Sequence, residues 1–258
     1  MRLCRYELQG EARYGELLTG SDEGLIQPLV GRSFTALQPD GQKVERASVR
    51  LLTPVLPSKL VCVGRNYAKH AKELGNEVPE SPLLFLKPPS ALLPTELTIR
   101  LPRASERVEH EGELAVVIGK LARHVKKENA LEHVFGYACF NDVTARDIQK
   151  KEVQFTRAKG FDTFAPFGPF VQTELDPREL GLRVRVNGEL RQEGNTRDMV
   201  FDVPALIAHA SACMTLLPGD IIATGTPEGV GPLVDGDVVE VEIDGLGVLR
   251  NPVAMEAD

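Results

Sequence analysis

The segment ERVEHEGELAVVIGK, residues 106–120, constrains this chain more than any other. In an extended strand successive side chains point to opposite faces, so Glu109, Glu111 and Glu113 share one face with Ala115 and Val117. Val108, His110, Leu114, Val116 and Ile118 take the other face. From Leu114 onward both faces are apolar, as in a strand sinking into a core. A carboxylate carried toward such a core is costly unless hydrogen bonds, cationic partners or a metal ion compensate it. The fold must supply one of these three, and strand spacing alone leaves the choice open.

Around this segment the chain alternates irregularly between short strands and short helices. LVCVG (60–64) reads as a buried strand, RNYAKHAKELG as a short helix ended by Gly75, and PLLFLKPPS as extended chain. A short helix is expected near KENALEHV, an apolar strand at VFGYACFND, and a helix at TARDIQKKE. KGFDTFAPFGPFVQ reads as a Gly/Pro-rich loop running into a strand. LRVRVNGELRQ is a hairpin turning at Asn187-Gly188, and VPALIAHASACM a helix with Pro204 in its first turn. Residues 1–53 are short, β-like and turn-rich, and TPVLPSKL (53–60) reads as a linker. The expected organisation is a small β-rich N-terminal domain over 1–53 and a main domain over 54–258. The hairpin-rich order favours a β-dominated α+β fold over a doubly wound parallel sheet.

A net charge of −7 and the lack of a dense basic stripe argue against nucleic acid as a partner. No apolar run approaches the length of a membrane span, and the charged N-terminus MRLCRYELQGEARYG is unlike a signal peptide, so a cytoplasmic protein is expected. Cys4, Cys62, Cys139 and Cys213 are far apart and in apolar contexts, which reads as buried thiols rather than a zinc site or disulfide framework.

Several groups have chemical potential. Asp142 closes the strand VFGYACFND, and with Glu111 and Glu113 it could offer three oxygens to Mg²⁺ or Mn²⁺. Glu109 is a fourth candidate nearer the strand's wet end, whereas His110 on the opposite face argues against a His–Glu zinc cluster. Salt bridges to Arg103, Arg107 or lysines would satisfy the same carboxylates. His70 and Glu73 lie three apart on the short helix and share a face, the arrangement of a carboxylate-oriented general base. Lys159 sits in a glycine-bearing loop that could bring its ammonium to an anion. ATGTPEGVG (223–231) offers backbone donors and the Thr226 hydroxyl, but has neither a GK[ST] ending nor GxGxxG, so nucleotide binding is not expected.

Taken in order, VGRNYAKHAKE, SPLLFLKP, VEHEGELAVVIG, GYACFNDVTARDIQ, AKGFDTFAPFGP and LLPGDIIATGTPEGVGP resemble the fumarylacetoacetate hydrolase family over about residues 55–253. The resemblance implies a roll-like, β-rich domain that forms homodimers, with a small N-terminal extension found in bacterial members. It implies that Glu111, Glu113 and Asp142 are ligands of Mg²⁺ or Mn²⁺, that Lys159 is the active-site lysine, and that His70 and Glu73 form a dyad on a lid helix. Arg65 and Tyr67 (in GRNY), Arg146, Gln149 and Thr226 correspond to positions lining the substrate pocket. The implied substrates are small 2-oxo or 2-enol acids, often dicarboxylic. The intact dyad favours C–C bond hydrolysis of the acylpyruvate type or decarboxylation. The alternative is isomerisation of 2-hydroxyhepta-2,4-diene-1,7-dioate (the 5-carboxymethyl-2-hydroxymuconate delta-isomerase type) in homoprotocatechuate breakdown. A non-catalytic protein stabilised by Ca²⁺ is the expectation from another class.

Overall fold

In the computed structural model, which describes residues 1–257, the strand expected over 106–120 forms in two pieces, Val108–His110 and Gly112–Ile118. It breaks at Glu111, whose backbone bonds leave the regular ladder. Its N–H donates to Asn141 Oδ1 (2.9 Å), and its carbonyl accepts from the Asp142 N–H (2.8 Å). The first piece pairs with Thr144–Ala145 and Gly231–Leu233 in a three-stranded sheet. The second lies inside a thirteen-stranded sheet, antiparallel to both Val134–Asn141 and Ile221–Ala223.

On one side of that centre the large sheet continues through Leu60–Gly64, parallel to Ile221–Ala223, and then Leu83–Lys87. On the other it continues through Ala165–Gln172 to Arg2–Leu8, Glu11–Leu17, Leu25–Gly31 and Leu37–Pro39. The strands of residues 1–53 therefore extend the main sheet, in register Arg2↔Gln172 and Leu3↔Val171. They also enclose their own cluster of Cys4, Tyr6, Ile26, Val49 and Leu51 with Phe170. A second sheet of five strands runs in the order Ile99–Leu101, Gly247–Met255, Val238–Ile243, Gly181–Val186, Glu189–Asn195.

The doubly apolar run of the central strand is explained by what covers it. Leu114, Val116 and Ile118 join Leu182, Val184, Val239, Val241 and Ile243 of the five-stranded sheet in one core cluster. Ala115 and Val117 point the other way, into a cluster with Cys62, Ala138, Phe140 and Phe167. Each large side chain buried here contributes roughly 1.5–3 kcal/mol.

Four α-helices are present among the described residues: α1 (Ala68–Glu73), α2 (Arg146–Lys151), α3 (Thr156–Lys159) and α4 (Val203–Cys213). α4 starts as expected, with Pro204 in its first turn and the Asp202 carboxylate accepting from the Ala205 N–H (2.9 Å). Gly75, at φ 69°, lies two residues past the end of α1. Three expectations need correction. The KENALEHV segment is a 3-10 helix over Lys127–His133. Lys159 ends α3 rather than lying in a loop. Cys213 is exposed at the end of α4, while Cys4, Cys62 and Cys139 are buried free thiols. No helix among the described residues is long and apolar enough to cross a membrane.

Gly112 lies where the two large sheets press together, beside the broken point of the strand. A Cβ there would sit 2.3 Å from Val184 Cγ2 and 3.3 Å from Val241 Cγ1. Gly112→Ala is therefore expected to cost about 1–3 kcal/mol, seen as a lower urea midpoint at unchanged slope. A midpoint equal to that of the parent would show that the sheets have room to spare.

Candidate active site

The break at Glu111 and the register of its neighbour gather the carboxylates. Gly112 pairs with Asn141, so the next step along the antiparallel pair sets Glu111 beside Asp142. Glu113, two residues on, returns to the face of Glu111. The three carboxylates each offer an oxygen within 4.8 Å of the others, and all three are buried.

Their compensation is uneven. Lys159 donates to Glu111 Oε2 (2.8 Å) and Asp142 Oδ2 (2.5 Å), with its ammonium 4.9 Å from the centre of the Phe85 ring. Burial works against that ammonium, but Asp142 and Glu111 push its pKa above the usual lysine range. Arg146 donates from Nε to Glu109 Oε2 (2.6 Å), from Nη1 to Gln149 Oε1 (2.5 Å) and from Nη2 to Glu111 Oε1. Burial opposes the charge of Glu111, yet Lys159 and Arg146 hold its carboxyl well below the usual range. Glu113 has no ion pair among the described residues; the Gly225 N–H donates to its Oε2 (2.9 Å). Burial first, then Asp142 and Glu111, push the Glu113 carboxyl well above the usual carboxylate range. Three converging oxygens, one of them uncompensated, suit a hard divalent cation, and the set fits Mg²⁺ or Mn²⁺.

Gly225 can make that approach because it lacks a side chain. Its φ is 97°, and a Cβ would meet Asn66 Cβ at 2.8 Å. The backbone donor expected of this loop is thus committed to Glu113. Thr226 lines the cleft, donating to the Gly112 carbonyl (2.8 Å) and accepting from Gln192 Nε2 (2.8 Å).

The His–Glu pair forms on α1. His70 is buried, with Nδ1 3.1 Å from Glu73 Oε2, and Glu73 Oε1 accepts from the Gly229 N–H (3.0 Å). A carboxylate only accepts, so Nδ1 carries the proton and Nε2 is left as a base. A cavity of about 360 Å³ brings these groups together, lined by Arg65, His70, Glu73, Glu111, Glu113, Arg146, Gln149, Lys159 and Thr226 among others.

Two expectations fail geometrically. Tyr67 does not line this cavity. It faces a separate cleft beside Lys69, Asp198 and Glu228, and its buried hydroxyl has no hydrogen-bond partner among the described residues. Glu109 is not at a wet strand end; it is buried and paired with Arg146 and with Arg107 (2.6 Å). Two supporting residues lay outside the sequence reading. Lys87, fully buried, donates to Asp142 Oδ1 (2.5 Å) and to the Val143 (3.1 Å) and Phe164 (2.7 Å) carbonyls. Its signal was available, since it is the one charge in SPLLFLKPPSALLP. Gln192 binds His110 Nδ1 (2.9 Å), the Gly112 N–H (3.1 Å), Thr226 Oγ1 and the Pro227 carbonyl. It lies in an ordinary polar hairpin strand, which carries no such signal.

Comparison with known proteins places this geometry among relatives. The family profile described as fumarylacetoacetate (FAA) hydrolase C-terminal matches residues 59–254, and one described as Rv2993c-like, N-terminal matches residues 1–54. A mitochondrial oxaloacetate tautomerase of Xenopus laevis is 45% identical over 232 residues, covering 85% of this chain and 73% of that protein. The structure of a 5-carboxymethyl-2-hydroxymuconate delta-isomerase from Mycobacterium smegmatis superposes with a TM-score of 0.93 at 42% identity, covering 99% of this chain and 100% of that one. A maleylpyruvate hydrolase from Sphingobium sp. SYK-6, solved with manganese (II) ion and pyruvate, gives a TM-score of 0.81 at 36% identity with both chains fully covered.

The uncompensated Glu113 sets a sign for the metal-free protein. A carboxyl whose pKa is raised on folding keeps a proton that the unfolded chain releases, so stability falls as pH rises above about 4.3. Glu113→Gln removes this conflict. After chelation, the variant is expected to melt above the parent at pH 7 and together with it near pH 4. Added Mg²⁺ or Mn²⁺ should raise the melting temperature of the parent only. A metal-free variant no more stable than the parent at pH 7 would contradict the charge conflict.

Proposed function

The chain belongs to the fumarylacetoacetate hydrolase family, whose members are enzymes, and from that membership and the cleft we propose that it relocates a proton on a small 2-oxo or 2-enol dicarboxylic acid, as a tautomerase or isomerase. The observation that carries this reading is His70, held by Glu73 at 3.1 Å, in the same cleft as Glu111 and Glu113 of the triad. The tautomerase and isomerase relatives at 42–45% identity support proton relocation.

Glu111, Glu113 and Asp142 would hold Mg²⁺ or Mn²⁺, which when bound supplies Lewis-acid polarisation of the oxo group. Lys159 places a fixed positive charge beside the same carboxylates. It stabilises the negative charge that grows on the oxo oxygen as the neighbouring C–H proton leaves. His70 Nε2 takes that proton and returns it to oxygen or to another carbon. Glu73 keeps the imidazole in the competent tautomer and stabilises its protonated form. Leu74, Phe85 and Phe155 supply apolar walls that limit water around the reacting carbon.

C–C bond hydrolysis or decarboxylation, the expectation drawn from the dyad, is the second reading. A His70 that accepts a proton from carbon can equally activate water, and the maleylpyruvate hydrolase supports it. The two readings share the base and the stabilised oxo oxygen, and they differ in whether His70 takes its proton from carbon or from water.

The test is a panel of oxaloacetate, an acylpyruvate and the heptadienedioate, given to protein loaded with Mg²⁺ or Mn²⁺. Expected are accelerated enol–keto conversion or double-bond migration, with deuterium entering beside the oxo group in D₂O, and loss of both on chelation. His70→Ala is expected to slow the reaction about 10²- to 10⁴-fold with an unchanged melting temperature. Cleavage of the acylpyruvate without any faster proton relocation would favour the second reading.

A further inference from the structure

Four cationic side chains line the cleft: Arg65, Arg146, Lys150 and Lys159. Arg146 and Lys159 are committed to Glu109, Glu111 and Asp142. Arg65 and Lys150 make no hydrogen bond or ion pair among the described residues. Outside the triad the one lining carboxylate is Glu73, which is held by His70 and the Gly229 N–H. The uncommitted charges of the cleft away from the triad are therefore both positive.

Their placement differs in a useful way. Arg146, Gln149 and Lys150 are spaced i, i+3, i+4 on α2, so they share one face. That face runs from the triad, where Arg146 is buried, to the exposed end, where Lys150 stands. Arg65 comes from a different element, following the strand Leu60–Gly64. Its backbone is in the left-handed region, at φ 59°. The next residue, Asn66, fixes that conformation, donating to the Thr224 (2.7 Å) and Phe201 (3.0 Å) carbonyls and accepting from the Phe201 N–H (2.8 Å). Arg65 is thus set on a rigid base, whereas Lys150 is a flexible charge on a helix end. A small acid with its oxo-acid end at the triad turns its other end toward these two cations.

We infer that Lys150 is a specificity residue that, together with Arg65 in the same cleft, takes the second carboxylate of the substrate and so selects acids charged at both ends. This rests on the reading of the cleft as a 2-oxo acid site. It adds a residue that neither the motifs nor the relatives' names point to.

Calorimetric binding of 2-oxoglutarate and 2-oxopentanoate to the Mg²⁺-loaded protein tests it. The two acids have equal chain length and differ in the terminal carboxylate, and neither has to be turned over. The parent is expected to prefer 2-oxoglutarate. Lys150→Met should lower that preference about fivefold by weakening 2-oxoglutarate alone. Lys150→Glu should lower it further, and Lys150→Arg should retain it. An unchanged preference in Lys150→Met, or equal weakening of both acids, overturns the role of Lys150 while leaving the 2-oxo acid reading intact. Failure of the parent to bind either acid overturns that reading and this inference together.

Discussion

Four carboxylates and three cations are packed where the central strand leaves one sheet for another. Glu109, Glu111, Glu113 and Asp142 face Lys87, Arg146 and Lys159, and all seven are buried. Two like charges within 4.8 Å repel by roughly 3 kcal/mol at an effective dielectric of about 20, so this arrangement stands only because each partner is held in place. The holding is done by backbone. Val143 and Phe164 carbonyls fix Lys87, the Gly225 N–H fixes Glu113, and the Asn141 side chain meets the N–H freed by the break at Glu111. The core above and below, built from the alternate faces of Gly112–Ile118, keeps those backbones from relaxing. A cluster in which, among the described residues, Glu113 alone lacks a cationic partner is then primed for a divalent cation, which a surface cluster would have no physical need of.

How much of this was legible depended on whether a residue's neighbours lie on its own segment. The alternation in VEHEGELAVVIG exposed both the carboxylate face and the two-sided core, because period two is a property of the strand itself. The hairpin at Asn187-Gly188 was legible for the same reason: Asn187 and Gly188 adopt φ 54° and 81°, as the turn chemistry demands. The burial of Glu109 was not. Its solvent is replaced by Arg146, which is distant in sequence and arrives only because Thr144–Ala145 pairs with Val108–His110. Tyr67 failed in another way. Its motif fixed its place before α1 but not the side to which its ring turns, and the ring packs away from the cleft.

The site divides into a centre built on the sheet and a rim built on helices. Glu113 and Lys87 are on strands of the large sheet, Asp142 follows one, and Glu111 lies at the break in the central strand. The other groups of the cleft lie on helices, with His70 and Glu73 on α1 and Gln149 and Lys150 on α2. A centre that polarises an oxo acid is common to tautomerisation, double-bond migration and carbon–carbon hydrolysis. Under the proposed function, the outcome is set by what the helices bring to the tail. Relatives described as an isomerase and a hydrolase superpose on one architecture, as expected if chemistry diverges at helices and loops while the sheet is kept.

Rim and centre are nevertheless tied at one point. Glu73 accepts from the Gly229 N–H with one oxygen while its other orients His70. Four residues earlier in the same loop, the Gly225 N–H holds Glu113. The position of the base is thus referred to the carboxylates through the short segment 225–229 rather than through the helix alone. An outward movement of α1 that separates Glu73 from Gly229 removes a hydrogen bond that helps to hold Glu73, and with it the orientation of the imidazole. The same movement leaves the triad assembled, because none of its bonds come from α1. Under the proposed function, the orientation of the base therefore depends on α1 being seated against the segment 225–229.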